Sequence, residues 1–172
     1  MLELLKTRRS IRKYTDRKVE KEKVEEILKG VLTSPTASNG RPWEFIVVED
    51  KEKLERLSDC RGSGSRFLKG ASLAIVVAAD GELRDIWIED AAIAAIIIQL
   101  TAHSLGLGTC WIHVRNRMHN ESISTEDYVK DILDAPKSVK IECIIAIGYP
   151  GEEKPPHDIN SLFKDRVHYE QF

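Results

Sequence analysis

The stretch WIEDAAIAAIIIQLTAHSLGLGTCWIHV, residues 87–114, decides the fold. Residues 87–105 read as the longest helix of the chain. Its middle, AAIAAIIIQLTAH at 91–103, is apolar nearly all round, which requires burial on most sides. In a chain of 172 residues such a helix is either the axis of the core or part of a subunit interface. Gly106-Leu107-Gly108 ends it, with Gly106 as the natural cap. TCWIHV at 109–114 then reads as a strand.

Working outward, LAIVVAA at 73–79 is apolar on both faces and therefore a central strand. Residues 51–59 form a short charged helix with Leu54 and Leu57 turned inward. WEFIVV, Trp43–Val48, is a further strand. Val24, Ile27, Leu28, Val31 and Leu32 follow helical spacing and place an amphipathic helix over 20–33. It stops at Ser34-Pro35, because the residue before a proline avoids helical angles. Residues 2–7 form a short first helix. Downstream, Ser124-Thr125-Glu126-Asp127 is a capping-box pattern that opens a helix running to about Asp134, with Pro136 beyond its end. KIECIIAIG at 140–148 is a fourth strand, and 149–172, with three prolines, is an extended tail. The connections are too irregular for a parallel βαβ array, so an α+β or three-layer α/β sandwich fits better.

Composition narrows the function. The 26 Lys+Arg and 28 Asp+Glu leave a formal net charge of −2, without the basic excess of a dedicated nucleic-acid binder. With 42% hydrophobic and 31% charged residues, the chain is neither disordered nor a membrane protein, and its longest apolar run, 91–98, is far short of a span. The length fits one domain, 1–172. Cys60, Cys110 and Cys143 are odd in number and widely spaced, which argues against a disulfide framework or a structural zinc. MLELLKTRRSIRKY lacks the apolar core and cleavage site of a signal peptide, so the expected location is cytoplasmic. No GxSxG, HExxH or Ser-His-Asp arrangement is present, and no metal site is expected.

Four segments carry chemistry. Arg8-Arg9-Ser10-Ile11-Arg12 sets three guanidinium groups and a hydroxyl within five residues, chemistry suited to a phosphate, although a solvated basic face reads the same way. Ser34-Pro35-Thr36-Ala37-Ser38-Asn39-Gly40-Arg41-Pro42-Trp43 is a polar loop on a rigid frame, suited to a polar ligand or simply a turn. Gly106–Trp111 is not a GxGxxG fingerprint and does not follow a strand, so no Rossmann site is supported. Lys164-Asp165-Arg166 means nothing alone.

Taken in order, RRSIRKY, SPTASNGRPWEFIVV, EDAAIAAIIIQLTAHSLGLGTCWI and the closing Lys164–Arg166 resemble the successive blocks of the FMN-dependent nitroreductase family, across nearly the whole chain. The loop block, with its Pro-Trp before a hydrophobic strand, is the most specific. The resemblance implies an α+β fold: a three-layer α/β/α sandwich with a mostly antiparallel central sheet and a long buried helix in the dimer core. It implies a homodimer with FMN at the subunit interface and a tail reaching across to the partner. Arg8, Arg9 and Ser10, with Lys164 and Arg166, then hold the FMN phosphate. Arg12 lies beside the flavin pyrimidine, where a fixed cation stabilises the reduced flavin. Pro35, Thr36, Ala37, Ser38, Asn39 and Arg41 run along the flavin. Trp111, Ile112 and His113 pack against the ring and offer a backbone N–H to N5.

Two departures stand out: the region between Trp43 and the long helix is compact, and His113 stands where some relatives carry an acidic residue. The implied activity is an FMN-dependent NAD(P)H oxidoreductase working by ping-pong hydride transfer to a small-molecule acceptor such as a nitroaromatic, a quinone or free flavin. The chemistry is on the flavin, with no catalytic side chain. The alternative is an FMN carrier or electron-transfer module without turnover of its own.

Overall fold

The computed structural model describes residues 1–81 and 85–172. Its elements run α1 (Leu2–Thr7), α2 (Lys21–Leu32), β1 (Trp43–Val48), α3 (Lys51–Ser58), β2 (Leu73–Asp80), α4 (Trp87–Ser104), β3 (Gly108–His113), α5 (Thr125–Leu133) and β4 (Val139–Gly148). Short 3-10 turns occupy Gly62–Gly64 and Arg66–Gly70, and two more, Ile159–Ser161 and Lys164–Arg166, interrupt the otherwise extended tail.

The four strands form one sheet in the order β1-β2-β4-β3, antiparallel throughout. β2 and β4 are central and buried along almost their whole length, as their unbroken apolar runs require. Period-two alternation divides the side chains of β2 between two cores. Leu73, Ile75, Val77 and Ala79 join Val24, Ile27 and Val31 of α2 and Ala91, Ala94, Ala95 and Ile98 of α4. Ala74, Val76 and Ala78 join Leu54 and Leu57 of α3 and Val129 and Ile132 of α5. Helices thus cover both faces, and the fold is the α+β, three-layer α/β/α arrangement expected.

Two local features set up the site. Between β2 and β4 the register shifts after Val77, which faces Cys143 while Ala78 faces Ile141, leaving Glu142 as the extra residue of a bulge. Helix α4 ends in a Schellman arrangement: Leu107 N–H donates to Ala102 O, Gly106 N–H donates to His103 O, and Gly106 takes φ +78°. The chain enters β3 one residue earlier than expected, at Gly108. Ser124 caps α5 as anticipated, its Oγ accepting from Asp127 N and donating to the Asp127 carboxylate. Half of the buried residues of α4 are alanine, and its other apolar side is open, with Ile93 and Ile96 each 38% exposed. No described helix is long and apolar enough to cross a membrane.

Candidate active site

Residues 8–14 lie as an extended segment against the free edge of β3. Ser10 bridges Thr109 in parallel fashion, and Ile11 N–H donates to Thr109 O at 2.9 Å. The start of the tail clamps the segment from outside. Glu152 Oε1 accepts from the amides of Arg12 (2.6 Å) and Lys13 (3.2 Å), Lys154 Nζ donates to Ser10 O (2.6 Å), and Arg9 Nη1 donates to Pro155 O. The two amides hold the Glu152 carboxyl below its ordinary range.

Cys110, on the strand beside this segment, feels its cations. Burial raises its thiol above the usual range, while Arg12, Lys154, Ser10 and Arg8 each oppose this. Arg8 also adds to the effect of burial in lowering His103, whose Nε2 sits 2.8 Å from Thr7 Oγ1. Three cations and a hydroxyl gathered at one strand edge, with a neutral thiol beneath, form a ready anion site.

The loop at 35–41 is strained. Ser38, Asn39 and Arg41 have φ of +50°, +57° and +48°, left-handed values that side chains other than Gly adopt at a cost of roughly 1–3 kcal/mol each. Thr36 Oγ1 accepts from Arg41 N, Asn39 Oδ1 accepts from Arg41 Nε, and Ala37 N–H donates to Oδ1 of Asp90 on α4 at 3.0 Å. Asp90 is 2% exposed, and its Oδ2, together with Ser34 Oγ and Trp43 Nε1, is buried without a hydrogen-bond partner among the described residues. Buried polar atoms are rarely left so, and three of them gather around one strained loop. Between the loop and the first turns of α4 lies a cavity of about 320 Å³ lined by Pro35, Thr36, Ala37, Ile86, Glu89, Asp90 and Ile93. A larger cavity of about 830 Å³, lined by residues 15–19, 49–51, Glu55 and 69–72, includes none of the residues singled out from the sequence.

At the far end of β3, Trp111 and His113 share a face, their rings stacked at 6.3 Å, while Ile112 is buried. The bulge turns the Glu142 side chain, 3% exposed, toward them. One of its oxygens takes Arg115 Nε at 2.8 Å and the other lies 3.9 Å from His113 Nδ1. Burial lowers the His113 pKa, Glu142 opposes this, and Arg117, Arg115 and Arg61 lower it further.

The structure therefore brings Arg8, Arg9, Ser10, Arg12, Trp111, Ile112 and His113 to one edge of the sheet. It does not bring Pro35–Arg41 to them. That loop abuts the start of β1, at the opposite edge, three strand spacings or roughly 14 Å across; through the ladders Trp43 stands six residues, roughly 20 Å, along from Thr109 beside Ser10, but only two along from His113. Lys164 and Arg166 lie in a 3-10 turn of the tail, Lys164–Arg166. Both are exposed, and Arg166 pairs only with its neighbour Asp165 at 3.7 Å among the described residues. Asp90, Glu142, Glu152 and Lys154 were not foreseen. Each acts through a partner far along the chain, and the one local signal was Glu142, a lone acid inside an apolar strand.

A four-stranded antiparallel α/β/α sandwich with a polar, strained loop and a basic strand edge defines a class of ligand-binding α+β domains. Comparison with known proteins narrows it. The model of the nitroreductase family matches residues 5–63 and 59–149. A solved FMN-dependent nitroreductase from Clostridium difficile R20291 is 54% identical and superposes with a TM-score of 0.98, each chain covered completely. A protein of Archaeoglobus fulgidus named for NADH dehydrogenase and NAD(P)H nitroreductase activity is 36% identical over 99% of this chain and 98% of its own. An FMN reductase [NAD(P)H] of Bacillus subtilis is 29% identical over 88% of this chain and 66% of its own. The chain belongs to the nitroreductase family.

Proposed function

We propose that the protein is an FMN-dependent NAD(P)H oxidoreductase that binds FMN between two copies of the chain. The observation that carries this reading is the division of the site. The anion-binding edge of β3 and the strained loop lie at opposite corners of one sheet, so a single ligand meets both only when a second chain supplies one of them. The exposed apolar side of α4 and the tail, where Phe163 is 77% and Tyr169 86% exposed, are surfaces such a partner would cover.

The residues present fit FMN. Arg8, Arg9, Ser10 and Lys154, joined by Lys164 and Arg166, supply charged donors for a dianionic phosphate. Arg12 is held by its backbone to Glu152, leaving its guanidinium free to lie over the Phe67 ring at 5.7 Å, a fixed cation beside the flavin. Trp111 and His113, whose rings stack at 6.3 Å, would offer the flavin ring a flat wall, and with Ile112 would supply backbone amides to it. Pro35, Thr36, Ala37, Ser38, Asn39 and Arg41 from the second chain close the flavin in. Held by these residues, FMN would supply the redox chemistry that links NAD(P)H to a small-molecule acceptor. The protein's part is position and charge. Asp90 stiffens the loop, and Glu142 orients Arg115.

The test is an absorption spectrum of the purified protein under anaerobic conditions. Flavin bands near ~450 nm that bleach on adding NADH or NADPH support the reading. Bands that persist support a carrier instead, and no bands after incubation with FMN refute both.

A further inference from the structure

The Nδ1 atom of His113 has a donor and an acceptor beside it. Trp111 Nε1–H donates to it at 3.4 Å, the two rings lying 19° from parallel. Glu142 Oε1 lies 3.9 Å from the same atom, too long for a hydrogen bond but within reach of an ion pair. A bare Nδ1 is satisfied by the indole, and a protonated one by the carboxylate. The ring thus has a partner in each protonation state without leaving its place. The acceptor is itself held: Glu142 is 3% exposed, its Oε2 takes Arg115 Nε at 2.8 Å, and its carbonyl accepts from the amides of Val114 and Arg115. The other ring nitrogen, Nε2, has no hydrogen-bond partner among the described residues, and 29% of the side chain is open. A structural histidine needs one settled state; a ring partnered in two, with its second nitrogen left open, suits proton transfer.

We infer that His113 is a proton donor to the electron acceptor, giving its Nε2 proton to the oxygen of a quinone-type substrate. The inference rests on the reading that sets His113 against the flavin. A quinone becomes a hydroquinone by gaining two electrons and two protons. A hydride originating in NAD(P)H brings both electrons and one proton. The second proton comes from His113: the Nε2–H bond breaks, an O–H bond forms on the quinone oxygen, and the ring is left neutral with its remaining proton on Nδ1, toward Glu142. Solvent then returns a proton to Nε2. Only the charged ring can act in this way. Burial foremost, and Arg117, Arg115 and Arg61 after it, oppose that charge, while Glu142 favours it, and the balance lies below the ordinary histidine value of 6.5. The quinone-dependent rate should therefore rise as pH falls toward that range.

The experiment reduces FMN-loaded protein anaerobically with dithionite and follows reoxidation by stopped flow, for wild type and His113→Gln. Benzoquinone, which needs a proton, is compared with ferricyanide, which takes one electron and none. The readout is the ratio of the two rates, in which any general effect of the substitution on the flavin cancels. The inference expects this ratio to rise in acid in wild type, and to fall roughly 100-fold and lose its pH dependence in the variant, the low end of general acid catalysis. A ratio that the substitution leaves unchanged overturns the inference, whatever happens to the separate rates.

A second arm needs no turnover. The His113 ring signals are followed by NMR against pH in the protein as purified. Glu142→Gln removes the partner of the charged ring and should lower the His113 pKa, whereas Trp111→Phe removes the partner of the neutral ring and should raise it. Shifts of opposite sign support the two-partner ring, and Trp111→Phe alone decides if the Glu142 variant does not fold. A downward shift or none in Trp111→Phe overturns it. A protein that takes up no FMN refutes the flavin reading and the inference with it, whereas turnover indifferent to His113 refutes the inference alone.

Discussion

Substituting Gly108 by alanine is the most direct probe of the basic strand edge. A Cβ at residue 108 would stand 2.8 Å from Ile11 Cβ and 2.9 Å from both Ile11 Cγ1 and Cγ2, at least 0.5 Å inside the 3.4 Å where ordinary contact begins. Ile11 is 8% exposed, and the nearest atom is its Cβ, which cannot swing away as the end of a long side chain can. The backbone of residues 10–12 must therefore retreat from β3, stretching the Ile11 N–H to Thr109 O bond of 2.9 Å and carrying Arg8, Ser10 and Arg12 with it. Overpacking of this kind costs about 1–3 kcal/mol. For a domain of this size that is a fall in Tm of roughly 2–12 °C. If these residues hold the FMN phosphate, affinity falls as well, by roughly tenfold to 150-fold for one charged hydrogen bond lost. The control is Gly106→Ala. Its φ of +78° strains the backbone with nothing within 4 Å of the new Cβ, so stability drops without displacing the segment. Flavin fluorescence titration beside thermal melting separates the two. Equal FMN affinity in the two variants, with both destabilised, would refute the assignment of this edge to the cofactor.

Further outcomes follow from single contacts. Asp90→Ala removes the acceptor of the Ala37 amide and should cost about 1.5–3 kcal/mol, seen in denaturant titration; an unchanged midpoint would show that the loop holds its shape unaided. Arg12→Ala should lower the flavin midpoint potential, read by anaerobic dye equilibration, and an unshifted potential would remove the cation from beside the flavin. Glu20 accepts from Arg17 (2.6 Å) and Tyr149 (2.8 Å), and mainly the Arg17 bond lowers its pKa to about 2. A carboxyl depressed in the folded state adds stability above its ordinary value of 4.5 and loses it as pH falls toward 2. Glu20→Gln should therefore melt lower than wild type at neutral pH and converge with it near pH 2. A gap that persists in acid would deny the linkage.

Much of the fold was legible because its signals are local. The apolar run at 91–103, the Pro35 and Pro136 stops, the Gly106 cap and the Ser124 box each act within one turn of chain, and the elements they bound begin and end within about two residues of expectation. The turns at Gly62–Gly64 and Arg66–Gly70 have no periodicity to read, and went unseen. Strand order was also silent, since nothing in KIECIIAIG says that it lies between LAIVVAA and GTCWIH. The site was legible only through resemblance. Its residues could be named, but not the bulge that aims Glu142, the strain at Ser38, Asn39 and Arg41, or the bracing of residues 8–13 by Glu152 and Lys154. The bulge and the bracing are products of pairing between segments distant in sequence, from 66 residues for Val77 against Cys143 to 144 for Ser10 against Lys154.

The separation of loop and strand edge within one chain makes a stronger demand than either group alone. A defect in Arg8 and a defect in Asn39 fall on different chains of any one site, if the site is shared by a two-fold pair. Arg8→Ala and Asn39→Ala proteins, each too weak to hold FMN at a chosen concentration, should then complement when unfolded together and refolded. Random pairing makes about half of the dimers mixed, and each mixed dimer carries one site with both defects and one with neither, so about a quarter of all sites bind flavin. If instead one chain supplies both groups, every site keeps its defect and no flavin is recovered. Recovery of flavin at about that fraction requires the shared site, because no rearrangement within either variant restores its missing side chain. Its absence, with dimers shown to exchange by mass spectrometry, would return the whole site to a single chain and oblige the loop and β3 to meet by a route the sheet does not offer.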